Sequence, residues 1–357
     1  MVNPTPLFWN RRRVLLTGHT GFKGAWLWQL LQALDAEPTG IGLAPETDPS
    51  LSALLGLPNH PQSHCLDIRD RVALKRAVQK NEPEIVFHLA AQSLVRRSYE
   101  QPVDTYSTNL MGTINLLEAL RSTPSVRCIV VVTSDKVYRN QDQVPAYRET
   151  DALGGHDPYS SSKACLELAV DSWRLSFFAD KVPLVGVATA RAGNVVGGGD
   201  WAPDRLIPDL IRAFASGHPA EIRHPSAVRA WIHVLEPLVG YLALAERLWN
   251  EPDRFSEPWN FGPDDTQARS VEDVVRRATE LWKEGASWRP AETANPHETM
   301  VLRLNAAKAR ERLDWRPRLE FDQTLAWTMD WYRRWQTGAE ASVLCRAQIE
   351  RYLATGR

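Results

Sequence analysis

Tyr159 and Lys163 are the two residues whose types and spacing point most directly to chemistry in this sequence. They follow Asp157 and Pro158, which are typical of a helix N-cap and a first helical residue. Because they stand four residues apart, both side chains are expected on one face of that helix. Lowering a tyrosine pKa from about 10 to about 7 requires roughly 4 kcal/mol of preferential stabilisation of the phenolate, part of which a neighbouring ammonium can supply. Tyr159 would then accept a proton from a substrate hydroxyl, although many solvated helix faces carry such a pair by chance.

Asp135 and Lys136 form a second pair, directly after residues 128–133, whose apolar composition predicts a buried strand. Ser134 stands between that strand and the pair. Open parallel sheets present the residues at the carboxyl ends of their strands to a ligand crevice, so all three side chains are expected to face one. An acid beside a base can protonate a leaving group and accept a proton from the neighbouring atom. The alternative is a surface ion pair that takes no part in chemistry.

Residues 17–24 read TGHTGFKG and place Gly18, Gly21 and Gly24 three apart, between a short strand pattern and a helical pattern. Glycines at this spacing allow a tight turn and close backbone approach to a pyrophosphate, while the helix N-terminus provides free N–H donors. The pattern predicts a dinucleotide site, whose nicotinamide ring would add positive charge beside Tyr159. The alternative is a tight strand-to-helix turn that binds nothing.

The sequence leaves the choice between NAD and NADP open. Sites for NAD often end the second strand with a carboxylate that binds the ribose, about twenty residues past the glycines. Glu46 is such a carboxylate but lies slightly late. Asp67 follows another short strand pattern and is expected either to hold the adenine amino group or to cap the helix that begins near Asp70.

Apolar strands alternate with helices from the glycine turn to about residue 190. The strand patterns lie near 39–43, 84–88, 128–133 and 184–189, and the helical patterns lie near 72–78, near 102–121 and after Pro158. This alternation predicts an α/β fold of Rossmann type, with a doubly wound parallel sheet covered on both faces. We expect residues 1–190 to form a dinucleotide-binding domain that carries the catalytic residues. Residues 191–357, with a short strand at 259–261, are expected to form mainly a smaller nucleotide-sugar-binding lobe, across a soft boundary that the chain is free to cross again.

Composition and charge exclude several classes of protein. The 357 residues include 42 basic and 43 acidic side chains without a long run of like charges, which argues against nucleic acid or an anionic membrane as partner. The N-terminus lacks the pattern of a secretion signal, and no apolar run reaches the roughly 18 residues that span a bilayer, so we expect a cytoplasmic protein. Cys65, Cys128, Cys165 and Cys345 are scattered without ligand spacing, which predicts plain buried thiols and no metal.

Several motifs together carry a family resemblance. They are GHTGFKG at 18–24, HLAAQ at 88–92, TSDKVY at 133–138, GGHDPYSSSK at 154–163, RAGNVVGGGDW at 191–201 and DRLIPD at 204–209. In combination these motifs resemble the extended short-chain dehydrogenases/reductases that act on nucleotide sugars, and within them the CDP-glucose branch of the 4,6-dehydratases. The resemblance runs from about Trp9 to beyond Trp331.

The resemblance implies an NAD-dependent lyase acting on CDP-glucose. Such an enzyme oxidises C4 of the hexose, eliminates water across C5 and C6, and returns the hydride to C6. The product, CDP-4-keto-6-deoxyglucose, serves deoxysugar biosynthesis such as that of lipopolysaccharide O-antigen. Asp135 would be the acid for the C6 hydroxyl, and Lys136 either the C5 base or an ammonium that stabilises the enolate. Ser134, Tyr159 and Lys163 complete the expected catalytic set.

Binding residues are expected at the glycine turn, at the strand ends and on the tyrosine helix. Those expected to hold NAD are Gly18, Thr20, Gly21, Phe22, Gly24, Asp67, Ile68, Ala90, Ala91, Tyr159 and Lys163. For the nucleotide sugar, the resemblance implies Arg229 at the diphosphate, since guanidinium groups bind such anions by paired hydrogen bonds. Asn194 and Arg205 are further candidates, and Trp201 is expected either to stack on the base or to close a loop.

Three alternatives stay open at this point. They are a nucleotide-sugar 4-epimerase or reductase, a dehydratase for another nucleoside-diphosphate hexose, and a non-catalytic dinucleotide-binding protein. The acid and base after Ser134 argue against an epimerase, and the presence of Tyr159 and Lys163 argues against a silent protein. The resemblance also implies a homodimer formed through the helices near 102–121 and 158–178.

Overall fold

The computed structural model describes residues 2–141, 145–264, 267–283, 285–291 and 300–355. Its central element is a seven-stranded sheet in which every strand pairing is parallel. The described strands, including short ones outside this sheet, are β1 (Arg13–Thr17), β2 (Glu37–Gly42), β3 (Ser63–Cys65), β4 (Ile85–His88), β5 (Cys128–Val132), β6 (Gly186–Ala192), β7 (Asn194–Val196), β8 (Ala220–Ile222), β9 (Val228–Arg229), β10 (Trp231–His233), β11 (Pro258–Phe261), β12 (Arg269–Ser270), β13 (Trp288–Pro290) and β14 (Val301–Leu302).

The strand order β11-β6-β5-β4-β1-β2-β3 places the first strand inside the sheet. From β1 the chain adds β2 and β3 on one side and then returns to add β4, β5 and β6 on the other. The order therefore reverses between β1 and β4, where Thr17 stands opposite His88 at the carboxyl ends. Ligands of open parallel sheets bind in the crevice at such a point. The predicted α/β fold of Rossmann type is confirmed.

Helices cover the sheet and make up much of the chain after residue 190, the part for which we keep the name second lobe. The described helices are α1 (Pro6–Trp9), α2 (Phe22–Gln32), α3 (Leu51–Leu54), α4 (Arg71–Asn81), α5 (Val95–Glu100), α6 (Pro102–Tyr106), α7 (Gly112–Arg121), α8 (Pro158–Trp173), α9 (Leu206–Ser216), α10 (Leu235–Asn250), α11 (Pro252–Phe255), α12 (Val271–Trp282), α13 (Ala307–Arg312), α14 (Phe321–Gln336) and α15 (Ala341–Ala354). A π-helical turn, Ser107–Met111, joins α6 to α7, and a second, Arg174–Phe178, extends α8. Among the described helices, none has the length and hydropathy needed to cross a membrane.

Alternate residues of the central strands belong to two hydrophobic cores, one on each face of the sheet. In β1, Leu15 belongs to the core that includes Leu74 of α4 and Leu117 of α7. Its neighbour Leu16 belongs to the other core, which includes Leu238 of α10. Because successive side chains of a strand point to opposite faces, this division explains why the strands are apolar throughout.

The second lobe consists of short sheets and helices, but the chain returns from it to the large sheet. The short sheets pair β7 with β10 and β8 with β13, and place β9 between β12 and β14. After β10, α10 packs against β5 and β6. β11 then extends the large sheet, with Trp259 opposite Ala190. The strand expected at 259–261 in the second lobe therefore belongs to the first, where Trp259 and Phe261 are fully buried in its core.

Several boundaries differ from the sequence patterns by a few residues. The strand expected at 39–43 is Glu37–Gly42, and the strand expected at 184–189 is Gly186–Ala192. Because β6 runs past residue 190, the expected domain division falls inside a strand. The division into a domain at 1–190 and a lobe at 191–357 therefore stays an interpretation of the chain.

Candidate active site

A crevice of about 980 Å³ opens at the carboxyl ends of the central strands. Its wall combines the glycine turn, the loops after β2, β4 and β5, and residues 199–205 of the second lobe. All the residues expected to bind the cofactor lie on this wall: Gly18, Thr20, Gly21, Phe22, Gly24, Asp67, Ile68, Ala90, Ala91, Tyr159 and Lys163. The fold thus brings the separate sequence motifs to one place.

The glycine turn leaves no room for side chains at two positions. Gly18 has a φ of +74°, and a Cβ there would lie 2.6 Å from the backbone nitrogen of Ala90. A Cβ on Gly24 would lie 2.2 Å from the carbonyl oxygen of Gly18. Gly21 caps α2 without a side-chain hydrogen bond, which leaves the first N–H groups of this helix for a ligand. The tight turn allows close backbone approach and the helix terminus offers N–H donors, so both features fit the diphosphate of a dinucleotide.

Beyond β2 and β3 the crevice wall carries paired charges. The Oε2 atom of Glu46 lies 2.7 Å from Nη1 of Arg97, and Oδ2 of Asp67 lies 2.7 Å from Nη2 of Arg69. The hydrogen bond from Arg69 holds the pKa of Asp67 below its ordinary value. The side chain of Asp70, not that of Asp67, accepts the backbone N–H groups that begin α4. The expected cap role of Asp67 is therefore wrong, while its position on the crevice wall fits the cofactor role.

Helix α8 brings Tyr159 and Lys163 to the crevice, and Asp157 caps this helix as predicted. Burial raises the pKa of Tyr159, and the charge of Lys136 is the largest effect that opposes burial. Lys163 donates a hydrogen bond to the carbonyl oxygen of Val132 at 3.3 Å, and burial lowers its pKa to about 8. The charge that lowers the pKa of Tyr159 most is therefore that of Lys136, and not that of Lys163, which lies one turn away on the same helix. The approach of Lys136 from a different part of the chain has a larger effect on this pKa than the helical spacing of Lys163.

Ser134, Asp135 and Lys136 follow β5 in a short 3₁₀ turn. A hydrogen bond links Ser134 to Tyr159. The Oδ1 atom of Asp135 accepts from Ser134 Oγ at 3.1 Å and from Lys136 Nζ at 3.4 Å. Asp135 is only 2% exposed, and no donor in the described ranges reaches its Oδ2 atom. The three residues are not part of the described crevice wall, which includes their neighbour Thr133, so the expectation that they face the crevice is not confirmed. The pair is still not a surface ion pair, because Asp135 is buried and one of its oxygens has no donor, which is costly unless a ligand group binds there.

Lys23 is a further residue of this site that the sequence patterns did not single out. It lies in the first turn of α2, next to the glycine turn, on the crevice wall. Burial lowers its pKa to about 7, and the charges of Arg205, Lys163 and Lys136 act in the same direction, against the charge of Asp135. The signal for it was its place between Gly21 and Gly24, at the helix end that faces the ligand. Two cationic side chains, Lys23 and Lys136, thus interact with the charge of Asp135.

Two of the four residues expected to bind the nucleotide sugar, Arg205 and Trp201, line the crevice. Arg205 donates to Oδ2 of Asp200 at 2.9 Å and to Oγ of Ser93 at 2.9 Å, which joins the second lobe to the loop after β4. Trp201 packs edge-on against Trp331, with ring centroids 5.8 Å apart. Its contacts favour the loop-closing role over stacking on the base.

Asn194 and Arg229 lie outside the part of the crevice wall that the structure describes. Asn194 begins β7. Arg229, in β9, is buried, and its guanidinium donates to the carbonyl oxygens of Val228 and Met300 at 3.1 and 3.2 Å. Substrate-binding roles for these two residues stay predictions.

The cysteines are free thiols in differing surroundings. Cys128 and Cys345 are buried as expected, and burial raises the pKa of both. Cys65 is exposed and Cys165 half-buried, so the expectation of buried thiols is wrong for Cys65, which ends the edge strand β3. Within the described ranges, no group of three or more His, Cys, Asp or Glu side chains is arranged to hold a metal ion.

The parallel sheet, the glycine turn and the set of Ser134, Tyr159 and Lys163 define a class, the extended short-chain dehydrogenases/reductases. The chain belongs to the GDP-mannose 4,6 dehydratase family, whose model matches residues 15–328. It is 45% identical over 350 residues to a CDP-glucose 4,6-dehydratase from Salmonella typhimurium, covering 97% of this chain and 98% of that protein.

More distant relatives include a second reaction type. A UDP-glucose 4-epimerase from Mycoplasma pneumoniae is 25% identical over 335 residues, covering 90% of this chain and 97% of that protein. The crystal structure of a dTDP-glucose 4,6-dehydratase from Streptomyces venezuelae, with NAD bound, superposes with a TM-score of 0.76. It is 24% identical and covers 92% of this chain and 99% of that chain, a likeness that shows the shared fold.

Proposed function

We propose that this protein is a nucleotide-sugar 4,6-dehydratase that uses NAD to convert CDP-glucose into CDP-4-keto-6-deoxyglucose. The observation that carries the proposal is the buried carboxyl group of Asp135, one oxygen of which has no donor in the described ranges. This group lies beside Lys136 and accepts a hydrogen bond from Ser134, which is hydrogen-bonded to Tyr159. Oxidation alone requires only the hydroxyl, phenol and ammonium groups. An added acid and base are needed when water is also eliminated.

Tyr159 acts at C4 of the hexose in this proposal. A bound NAD supplies the acceptor for the C4 hydride and returns the same hydride to C6, so there is no net oxidation. Tyr159 takes the proton of the C4 hydroxyl, with Ser134 hydrogen-bonded to the phenol and Lys136 stabilising the phenolate by its charge. Lys163, one helical turn further, lines the wall where the cofactor is expected.

Asp135 and Lys136 act at C5 and C6. A ketone at C4 makes the C5 hydrogen acidic, so the C5 proton can be removed as the C6 hydroxyl departs. Asp135 donates its proton to that hydroxyl, which leaves as water. Lys136 either accepts the C5 proton or stabilises the enolate as an ammonium, and a proton returned to C5 accompanies the hydride returned to C6. The substrate loses one water and the cofactor ends as it began.

The CDP moiety is proposed from the Salmonella typhimurium relative, which is similar over nearly the whole chain. Arg205, on the crevice wall beside Asp200, is available to the diphosphate or the sugar. Arg229 and Asn194 are proposed for the same anion, and Trp201 for the loop that encloses it. Such a product would serve deoxysugar biosynthesis, including that of lipopolysaccharide O-antigen, in the cytoplasm.

Incubation of the purified protein with CDP-glucose in deuterated water tests the function. We expect a product that has lost one water by mass spectrometry and has gained one solvent deuterium at C5. No net NADH should accumulate. The same assay with dTDP-, UDP- and GDP-glucose measures which nucleoside is preferred, and we expect the highest kcat/KM with CDP-glucose.

The assay also separates the alternatives. A product that retains the C6 hydroxyl would indicate a 4-epimerase, and a product formed with stoichiometric use of added cofactor would indicate a reductase. Faster turnover of another nucleoside-diphosphate glucose would support the proposed dehydration but would identify a substrate other than CDP-glucose. Binding of NAD without turnover of any of these sugars would indicate a non-catalytic dinucleotide-binding protein.

A homodimer is proposed for the same protein. Four exposed apolar side chains support it on the helices for which the interface was expected: Val103, Met111, Leu168 and Leu175, exposed by 79, 49, 62 and 63%. Exposed apolar patches of this kind mark interaction surfaces. Sedimentation equilibrium should give twice the chain mass, and a Leu168→Glu, Leu175→Glu variant should give the mass of one chain.

A further inference from the structure

Glu167 extends the helix face that carries Tyr159 and Lys163. The three residues stand four apart in α8, so their side chains follow one another along a single face. Glu167 is 5% exposed, and Tyr159 and Lys163 are buried as well. Its charge raises the pKa of Lys163, against the lowering by burial. A buried carboxylate at this point adjoins the catalytic set without lining the crevice.

Four hydrogen bonds fill both oxygens of the Glu167 carboxylate. Its Oε1 atom accepts from the hydroxyl of Thr133 at 2.5 Å and from Nε of Arg191 at 2.9 Å. Its Oε2 atom accepts from the hydroxyl of Thr189 at 2.6 Å and from Nη2 of Arg191 at 2.9 Å. Such a two-pronged pair between guanidinium and carboxylate holds its partners in one geometry. The carboxylate thereby joins α8 to β5 and β6.

The same network holds both ends of the segment that carries the acid and the base. Thr133 directly precedes Ser134 and binds Glu167. At the other end, Tyr138 accepts from Nη1 of Arg191 at 2.8 Å and donates to Oδ1 of Asn260 at 2.7 Å. Residues 134–137 are therefore anchored on each side to one buried ion pair, whose side chains are 2% and 4% exposed.

We propose that Glu167 and Arg191 are positioning residues, which set the distance between Tyr159 on α8 and the pair of Asp135 and Lys136 after β5. The inference rests on the proposed function, because that reaction needs the phenol at C4 and the acid and base at C5 and C6 of one sugar. Groups on two separate elements must keep a fixed separation for this. A shift of about 1 Å in such a geometry can cost about a hundredfold in rate.

The competing explanation is that the ion pair only stabilises the fold. Variants at two threonines distinguish this structural role from a positioning role. Thr133 and Thr189 are 6% and 4% exposed, and each donates its hydroxyl to one oxygen of Glu167. Only Thr133 is bonded directly to Ser134, whereas Thr189 lies inside β6, opposite Val131. Replacement of either by valine removes one hydrogen bond and keeps the side-chain shape.

The experiment compares Thr133→Val with the matched control Thr189→Val. We expect similar falls in thermal midpoint for the two variants, because each loses one buried hydrogen bond. For Thr133→Val we expect kcat with CDP-glucose to fall about tenfold or more while KM changes by less than about twofold. Thr189→Val should keep kcat within about twofold of the unmodified protein. Hydrogen exchange at the amides of residues 134–137 should be faster in Thr133→Val alone.

Equal kcat and equal exchange in the two variants would overturn the positioning role. Replacement of Glu167 itself is a weaker test, since it leaves the charge of Arg191 buried and unpaired and can unfold the protein. Hydrogen exchange needs no turnover, so it decides the positioning role even when CDP-glucose is not converted. Failure of the unmodified protein to dehydrate CDP-glucose would count against the proposed function, while unchanged exchange in Thr133→Val would count against this inference.

Discussion

Asp135 and Glu236 are both buried carboxylates, yet the protein surrounds them differently. Glu236, on α10, accepts the backbone N–H groups of Arg318 and Leu319 at Oε1, at 2.8 and 2.7 Å, and the hydroxyl of Tyr352 at Oε2. Asp135 receives donors on Oδ1 only. Glu236 therefore joins α10 to the C-terminal helix α15 and to the chain that precedes α14.

This difference separates a carboxylate that holds the fold from one that is available for chemistry. Hydrogen bonds on both oxygens fix a carboxylate in place and leave little capacity for a ligand. A buried oxygen without a donor, beside a crevice, can bind or protonate a substrate hydroxyl. Changes at the two sites should therefore affect different properties, turnover at the crevice and stability at Glu236.

Tyr159→Phe should produce the largest loss of turnover. The variant lacks the phenol that takes the C4 proton, so kcat with CDP-glucose should fall on the order of a thousandfold, without loss of NAD binding. Tyr241→Phe is the matched control, because Tyr241 is a buried tyrosine whose hydroxyl has no hydrogen-bond partner in the described ranges. Turnover of Tyr159→Phe close to that of the control would contradict the role of the phenol.

Asp135→Asn should lower overall turnover by about a hundredfold and should separate the two halves of the reaction. Oxidation at C4 does not require the acid, so reduced cofactor should accumulate after mixing with CDP-glucose, seen by its absorbance. Glu236→Gln, the same change at the other carboxylate, should leave kcat unchanged. Equal turnover in Asp135→Asn and Glu236→Gln would remove the distinction between the two sites.

Lys23→Met should change the pH profile of turnover more than its maximum. Lys23 loses its proton, and with it its positive charge near Asp135, as pH rises through about 7. The ammonium stabilises the carboxylate that Asp135 becomes when it donates its proton, so kcat should fall as pH rises through about 7 in the unmodified protein. The variant should lack this fall, whereas Lys75→Met, on the exposed side of α4, should keep it. A fall that persists in Lys23→Met would exclude Lys23 as its source.

Glu236→Gln should change stability and its pH dependence, with the smallest effect on turnover. Burial raises the pKa of Glu236 from 4.5 to about 7. The folded protein therefore keeps a proton that the unfolded chain loses, and this stabilisation is lost as pH rises from about 4.5 through 7. The loss is on the order of 3 kcal/mol. Denaturation across this range should show it in the unmodified protein but not in Glu236→Gln, with Glu246→Gln on the same helix as control.

Features that depend on near neighbours could be predicted from the sequence. The glycine turn lies between β1 and α2, Asp157 caps α8, and Tyr159 and Lys163 share one face of that helix. Turn geometry, capping and the spacing of a helix face are decided within a few residues of chain. The remaining residues that the family motifs predicted for the cofactor lie on the same wall, which supports their predicted role.

Features that depend on distant contacts were decided by the tertiary structure alone. β11 joins the large sheet, Lys23 approaches Asp135 from another strand end, and Lys136 exceeds Lys163 in its effect on Tyr159. Strand pairing, burial and unpartnered oxygens arise only when separate segments pack together and exclude water. The sequence by itself determined which groups the protein has for chemistry, and only the fold decided which of them lack a partner, because hydrogen bonding and desolvation are properties of the packed chain.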